Sequence, residues 1–151
     1  MEEATIKELE QYYGFTVEGT PIRLGGLSNQ NHQLVTNRGK IVVKKYNPYS
    51  NEEIRSIEHQ ALSHLHTKGI DYIPKLLACQ EEGQENGQTT IRIGTDTYAV
   101  FEFIEGNEYQ KTVSQTTDAG RKLGLIHTGL EDLTIDLGDI SRRRTIGIKE
   151  S

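Results

Sequence analysis

Residues 23 to 58 read RLGGLSNQNHQLVTNRGKIVVKKYNPYSNEEIRSIE, and this stretch carries the strongest structural signals of the chain. Gly25 and Gly26 open a run of small and amide residues. The tripeptide Asn37-Arg38-Gly39 then predicts a tight turn, with glycine where a positive φ is tolerated. Beyond it lies the strand-like segment IVVKKY, which carries Lys44 and Lys45. The stretch therefore predicts a β-hairpin that begins at a glycine-rich turn.

A helix is predicted directly after this hairpin. Ser50 and Glu53 have the spacing of a capping box, which predicts a helix over Asn51 to Lys68. Glu58 falls on the apolar stripe of this helix, and a carboxylate on a core-facing stripe is unfavourable unless it is paired. The nearest upstream cation on a strand belongs to Lys44 or Lys45. The stripe itself consists of Ile54, Ile57, Ala61, Leu62 and Leu65, which recur at helical spacing.

A glycine-rich turn, a strand lysine and a helix glutamate, in this order, are the parts of a kinase nucleotide-binding lobe. Successive side chains of a strand alternate between its faces, so Lys44 and Lys45 lie on opposite faces. In the kinase pattern the lysine shares a face with a small residue two positions earlier. Val42 and Val43 supply such a residue for both lysines, so alternation alone does not choose between them.

Three segments resemble the aminoglycoside phosphotransferase and choline kinase superfamily. They read GGLSNQNHQLVTNRGKIVVKKYN, IEHQALSHLHTKGIDYIPKLL and YAVFEFIEG. Members of that group typically show a G-x-[ST]-N-x-x-[YFH] turn, a V-L-K strand, an E-x-x-x-L-x-x-L helix and a hydrophobic strand ending in E-G or D-G. The resemblance covers about residues 20 to 130 and rests on the ordered set. Aligned on it, Lys44 is the family lysine and Glu58 is its helix partner.

The resemblance implies a binding site for ATP. Lys44 would neutralise charge on the α- and β-phosphates, and Glu58 would hold Lys44 in position. The glycine turn would cover the phosphates, because backbone N–H groups approach them closely where no Cβ intervenes. The main chain of Glu102 and Ile104 would bind the adenine edge, and Phe101 would limit the depth of the pocket. The predicted nucleotide-binding residues are Gly25, Gly26, Leu27, Ser28, Asn29, Val42, Lys44, Glu58, Phe101, Glu102 and Ile104.

The order of the elements predicts the α+β fold class. We expect a protein-kinase-like N-terminal lobe, with a five-stranded antiparallel sheet and one packed helix between strands three and four. The predicted strand segments are 21–27, 31–36, 41–46 and 75–80, followed by a hairpin over 91–104. A last helix over Asp118 to Thr128, capped by Thr116 or Thr117, corresponds to the first helix of an otherwise missing C-terminal lobe.

The expected domain organisation has four parts. They are a leading helix at 1–14, the nucleotide-binding lobe at 15–106, a segment with the last helix at 107–130, and a polar tail at 131–151. We expect that tail, with its run SRRRTIGIKES, to be disordered or truncated. A helix that normally packs on another lobe exposes apolar surface when alone. We therefore expect residues from Lys111 onward to be poorly held and to self-associate through a patch of Val113, Leu123, Ile126 and Leu130.

Composition excludes several functional classes. Acidic residues outnumber basic ones, 22 to 17, giving a net charge of −5 that argues against a nucleic-acid partner. The single cysteine, Cys79, excludes a disulfide framework and fits a reducing, cytoplasmic compartment. No stretch approaches the roughly 18 apolar residues of a membrane span. His59, His64 and His66 include no pair spaced i,i+4, so no metal site is predicted.

The catalytic groups of phosphoryl transfer are not predicted in this chain. The reaction requires an acidic group beside the attacking hydroxyl and ligands for Mg²⁺. In the resembled family both come from a second lobe, through an H-x-D-x-x-x-x-N loop and a later Asp. Nothing after Leu130 matches these motifs, so Mg²⁺ would need the missing lobe.

The functional hypothesis is therefore the ATP-binding lobe of a kinase that acts on a hydroxyl of a small molecule and is inactive as this chain. The acceptor could be choline, homoserine, thiamine, a methylthiopentose or an aminoglycoside. The alternative hypothesis is a non-catalytic interaction module or a pseudokinase fragment that keeps the fold of the lobe.

Overall fold

The computed structural model describes residues 1–80 and 87–138. Its five strands form one antiparallel sheet in the order β1-β2-β3-β5-β4. The α+β class, the five-stranded antiparallel sheet and the helix between the third and fourth strands are thereby confirmed. The elements are α1 (Glu3–Tyr13), β1 (Val17–Leu24), β2 (Gln30–Thr36), β3 (Gly39–Lys45), α2 (Glu52–Thr67), β4 (Thr90–Ile93), β5 (Asp96–Glu102) and α3 (Val113–Leu130).

The chain divides into two compact units. The first contains Met1–Tyr49 and Pro74–Glu105, which includes α1 and the whole sheet. The second contains Ser50–Ile73 and the described residues from Gly106 to Gly138, and it includes α2 and α3. The predicted boundary after residue 106 thus lies next to a boundary between the units, whereas α2 groups with α3.

The core of the first unit covers one face of the sheet. Leu34 of β2, Val43 of β3 and Val100 of β5 are almost fully buried, and they belong to one apolar cluster with Leu9 and Tyr13 of α1. The predicted leading helix ends as expected at Gly14, which has a φ of 68° and donates its N–H to the carbonyl of Glu10. Burial raises the pKa of the Tyr13 phenol, and its hydroxyl donates to the Thr89 carbonyl (3.2 Å).

The predicted strand over 75–80 is wrong. Leu76 forms only an isolated antiparallel bridge with Phe101 of β5. The chain then leaves that edge, because the N–H of Gln80 donates to the carbonyl of Tyr12 at the end of α1 (2.8 Å). The remaining edge of β5 pairs with β4, in register from Thr90 opposite Ala99.

The core of the second unit lies between α2 and α3. Leu65 and Ile70 are buried there, and a Cβ built on Gly129 of α3 would lie 2.8 Å from the Leu65 Cδ2 and 3.0 Å from the Ile70 Cδ1. The glycine therefore permits the close approach of the two helices. The hydroxyl of Tyr72 also donates to the Lys122 carbonyl of α3 (3.1 Å). These contacts join α3 to α2, and the expectation that residues from Lys111 onward are poorly held stays a prediction.

The apolar patch expected on α3 is only partly present. Val113 and Leu123 are exposed, at 84% and 52%. Ile126 and Leu130 instead pack against the buried cluster of Leu65, Ile70 and Ile73. They lie on the side of α3 that carries Gly129, where α2 is close enough to cover them. Self-association through the remaining exposed residues stays a prediction.

Both predicted helix caps are wrong by position. The N-cap of α2 is Asn51, whose Oδ1 accepts the Glu53 N–H (2.8 Å), while the hydroxyl of Ser50 is bonded to Arg55. The N-cap of α3 is Thr112, six residues before the predicted start of this helix at Asp118. The first turns of α3 are polar apart from the exposed Val113, so they give no apolar periodicity from which the true start could be predicted.

Residues 131–138 return along α2. Asp132 pairs with Nε2 of His64 (2.8 Å) and with Nζ of Lys68. The side chain of Gln60 bonds the main chain of Asp136 twice, donating to its carbonyl (2.6 Å) and accepting its N–H (2.8 Å). The rest of the predicted polar tail, with Arg142, Arg143 and Arg144, lies outside the described residues.

The Asp132 contacts predict a pH dependence of stability. The hydrogen bond from Lys68 and then that from His64 lower the pKa of the Asp132 carboxyl to about 2. Its pKa in the unfolded chain is about 3.9, so the stabilisation is complete above about pH 4 and is lost as the pH falls towards 2. In Asp132→Asn, the denaturant midpoint of unfolding is expected to decrease less between about pH 4 and pH 2 than it does in the unsubstituted protein. An unchanged pH profile in the variant would contradict the assignment.

Candidate functional site

The two lysines of β3 lie on opposite faces of the sheet. Val43 and Lys45 lie on the face that carries the buried core, and Lys45 there pairs with Asp96 (2.7 Å). This hydrogen bond raises the pKa of Lys45. Lys44 lies on the other face, opposite Asn31 of β2 and Ala99 of β5 in the register. The structure thus separates the two lysines that the sequence left as alternatives.

Two aromatic rings lie near the Lys44 ammonium group. Its Nζ lies 4.7 Å from the ring centroid of Tyr46 and 5.8 Å from that of Phe101. Both distances are within the range of a cation–π interaction. Val42 lies opposite Phe101 in the register and therefore on the same face. Three predicted site residues, Val42, Lys44 and Phe101, are thus brought together.

The glycine turn is attached to the face that carries Lys44. Asn31, which lies opposite Lys44 in the register, donates from its Nδ2 to the carbonyl of Gly25 (3.3 Å). Gly26 has a φ of 153°, and a Cβ built there would lie 2.6 Å from the carbonyl oxygen of Asn29. Leu27, at the tip of the turn, is fully exposed. The turn therefore folds on itself closely enough to require glycine at position 26.

The far end of the turn is bonded to the residue that follows Tyr46. The N–H of Asn47 donates to the side-chain oxygen of Asn29 (3.0 Å), and its Nδ2 donates to the Ser28 carbonyl (3.3 Å). Asn31 and Asn47, which bond the glycine turn, were not among the site residues predicted from the sequence. The hairpin register, counted from the turn at 37–39, would have placed Asn31 beside Lys44, whereas no pattern marked Asn47.

The end of β5 presents main-chain groups at the edge of the sheet. The N–H of Phe103 donates to the Lys40 carbonyl of β3 (3.1 Å), whereas that of Glu102 donates away from β3, to the Lys75 carbonyl (2.8 Å). Main-chain groups alternate in direction along an extended chain. The Glu102 carbonyl, in the last residue of β5, therefore points to the side away from β3, as its N–H does. The adenine-binding roles of Glu102 and Ile104 stay predictions.

Glu58 lies on α2, in the unit that does not contain Lys44. The apolar stripe on which its pairing was predicted is not continuous, because Ile54 and Ile57 are 63% and 39% exposed. The buried residues of α2 are instead His59 and Leu65. Glu58 is half-buried, and its ion pair with Lys44 stays a prediction.

The described residues contain no group of three or more His, Cys, Asp or Glu side chains placed to hold a metal ion. The same part of the chain has no helix of the length and hydropathy needed to cross a bilayer.

The two glycines of the turn are expected to respond differently to the same substitution. Gly26→Ala places a methyl group against the Asn29 carbonyl at an unfavourable φ, whereas Gly25 has no atom within 4 Å of a built Cβ. We expect Gly26→Ala to lower the unfolding free energy by about 1–3 kcal/mol or to rearrange the turn. Amide NMR spectra and denaturant unfolding of both variants measure this. Equal effects of the two substitutions would contradict the observed turn geometry.

Comparison with known proteins identifies relatives of this arrangement. The model of the phosphotransferase enzyme family (APH) matches residues 18–147. One similar structure is the amicoumacin kinase hAmiN in complex with AMP-PNP, Ca²⁺ and Ami, with a TM-score of 0.70 and 14% sequence identity. The match covers 89% of this chain and 41% of the hAmiN chain. Another is the spectinomycin phosphotransferase APH(9)-Ia in complex with ADP and spectinomycin, with a TM-score of 0.63 and 16% sequence identity. This match covers 91% of this chain and 42% of the APH(9)-Ia chain. This chain thus spans about two fifths of the length of both structures. No curated protein gives a significant match.

Proposed function

Because the chain belongs to the phosphotransferase enzyme family, we propose that it is the ATP-binding lobe of a kinase that phosphorylates a hydroxyl group of a small molecule. One observation carries the proposal. Lys44 shares a face with Asn31, and the side chain of Asn31 is bonded to the glycine turn. A cation beside a turn of exposed backbone N–H groups is the combination that binds a polyphosphate.

In the proposed complex Lys44 neutralises the α- and β-phosphates. The rings of Tyr46 and Phe101 limit the positions open to its ammonium group, since both lie within about 6 Å of it. The N–H groups of Gly25 to Asn29 donate to phosphate oxygens. By the family resemblance, Glu58 would be the residue that fixes the direction of the lysine side chain.

The adenine lies at the end of β5. The carbonyl of Glu102 accepts from the exocyclic amino group, and the N–H of Ile104 donates to a ring nitrogen. The buried Phe101 ring closes the inner end of the pocket, and Val42 covers the base. The adenine nucleotides AMP-PNP and ADP in the two similar structures support ATP as the nucleotide.

The acceptor and the metal are bound by a second lobe in the family that the chain resembles. We propose the same division here, with Mg²⁺ held by the phosphates and by carboxylates of that lobe. The acceptors named for the two similar structures are amicoumacin and spectinomycin. These two names favour a hydroxylated antibiotic, such as an aminoglycoside, over choline, homoserine, thiamine and a methylthiopentose as the acceptor class.

The proposal predicts weak nucleotide binding and no phosphoryl transfer by this chain. We expect a Kd for Mg-ATP of about 1 mM or weaker, which corresponds to about −4 kcal/mol. NMR titration measures the affinity, and a coupled ADP-release assay with each acceptor class measures transfer. Turnover that persists after repurification would contradict the expected inactivity. Failure to bind any nucleotide, together with a stable protein partner in pull-downs, would favour the non-catalytic interaction module.

A further inference from the structure

We propose that Asn47 is a positioning residue that orients the phosphate-binding N–H groups of the glycine turn. The inference rests on the proposed function, because it assigns a role at the same nucleotide site. Gly25, Gly26, Leu27 and Ser28 are all exposed, yet the turn is bonded at both ends to asparagine side chains.

Asn47 is itself fixed by three hydrogen bonds. Its N–H and Nδ2 donate to the Asn29 side chain and the Ser28 carbonyl, at 3.0 and 3.3 Å. Its Oδ1 accepts the N–H of Tyr49 (2.9 Å). The preceding residue is anchored to the sheet, because the N–H of Tyr46 donates to the Thr97 carbonyl of β5 (2.9 Å). Asn47 therefore connects the exposed turn to the strand pair that carries Lys44.

The bonded carbonyls determine where the turn directs its N–H groups. In a trans peptide the C=O and the following N–H point in opposite directions. The Gly25 carbonyl is bonded to Asn31, so the Gly26 N–H points away from that side chain. The Ser28 carbonyl is bonded to Asn47, so the Asn29 N–H points away from Asn47 in the same manner. Two donors of the turn are thus oriented in advance of ligand binding.

The expected consequence depends on the phosphates of the ligand. Without its hydrogen bonds to Asn47, the turn loses conformational entropy when it is ordered by a ligand. This entropy loss weakens the binding only of ligands that contact the turn. Asn47→Ala is expected to weaken ATP binding about tenfold and to leave adenosine binding unchanged. Asn47→Asp keeps the acceptor for the Tyr49 N–H but loses the donor to Ser28, and it is expected to weaken ATP binding at least as much.

The matched control is Asn37→Ala. Asn37 lies at the opposite end of the β2–β3 hairpin, and its Oδ1 accepts the N–H of Thr16 (2.9 Å). The substitution removes a side-chain amide of the same kind without changing a contact of the glycine turn. Any loss of ATP affinity that it shares with Asn47→Ala reflects the stability of the sheet.

The experiment measures amide hydrogen exchange of residues 25–31 without nucleotide, and then NMR titrations with ATP and with adenosine. Faster exchange of the turn in Asn47→Ala, with ATP affinity lowered and adenosine affinity kept, supports the inference. Unchanged exchange, or faster exchange with unchanged ATP affinity, overturns it while the proposed function stands. Absence of ATP binding by the unsubstituted chain overturns the proposed function and this inference with it.

Discussion

Lys44→Ala is expected to lower the affinity of the chain for Mg-ATP at least about tenfold, because a charge-assisted hydrogen bond to a phosphate contributes about 1.5–3 kcal/mol. Lys45→Ala is expected to leave the affinity within about twofold. The reason is the register of β3. Lys44 lies on the face of Asn31 and Phe101, whereas Lys45 is paired with Asp96 on the face of the core.

The Lys45 variant is a strict control for the Lys44 variant. Both substitutions remove one positive charge from adjacent positions, so the net charge of the two proteins is the same. NMR titration with Mg-ATP compares them under identical ionic strength, since long-range attraction of an anion depends on salt. Equal losses of affinity would mean that phosphate binding depends only on the net charge of the protein and not on the position of the lysine. A larger loss in Lys45→Ala would place the nucleotide on the other face of the sheet.

Leu34→Ala is expected to lower the unfolding free energy of the sheet unit by about 2–5 kcal/mol. Leu34 is 1% exposed within the cluster that joins β2, β3 and β5 to α1, and its removal leaves a cavity that the surrounding strands cannot fill. A loss at the upper end of this range equals the whole unfolding free energy of a domain at the lower limit of the usual range, about 5 kcal/mol.

The neighbouring Val35 provides the control, because it lies on the opposite face of β2 and is 40% exposed. Val35→Ala is expected to lower the unfolding free energy by less than about 1 kcal/mol. Guanidinium unfolding followed by circular dichroism measures both variants. Similar midpoints for the two would contradict the assignment of faces on β2, and with it the assignment of the Lys44 face.

The elements marked by side-chain periodicity were predictable from the sequence. The turn at 37–39 and the alternation of IVVKKY are sufficient to place Lys44 and Lys45 on opposite faces of a strand. The choice of Lys44 needed the family resemblance, since each lysine has a valine two residues earlier. The family resemblance likewise gave the order of turn, lysine and helix that the fold contains.

Features decided by competing polar groups were not predictable. Ser50 and Asn51 are both good capping residues, and the cap is the one whose oxygen reaches the Glu53 N–H. The segment at 75–80 has strand composition, but β4 occupies most of the edge that it would need. The role of Asn47 depends on a contact with a turn far earlier in the chain, which no local pattern encodes.

The pairing of β3 with β5 has a consequence for how the protein folds. The hairpins β1–β2 and β2–β3 join neighbouring segments, whereas Val43 and Val100 are paired across all of α2 and β4. Contacts between distant segments form slowly, because a long loop must close before they contribute. The three-stranded meander with the glycine turn and Lys44 can therefore assemble early during synthesis. Phe101 and the main-chain edge at Glu102 join it only after the second half of the chain has emerged, so the proposed nucleotide site is completed late.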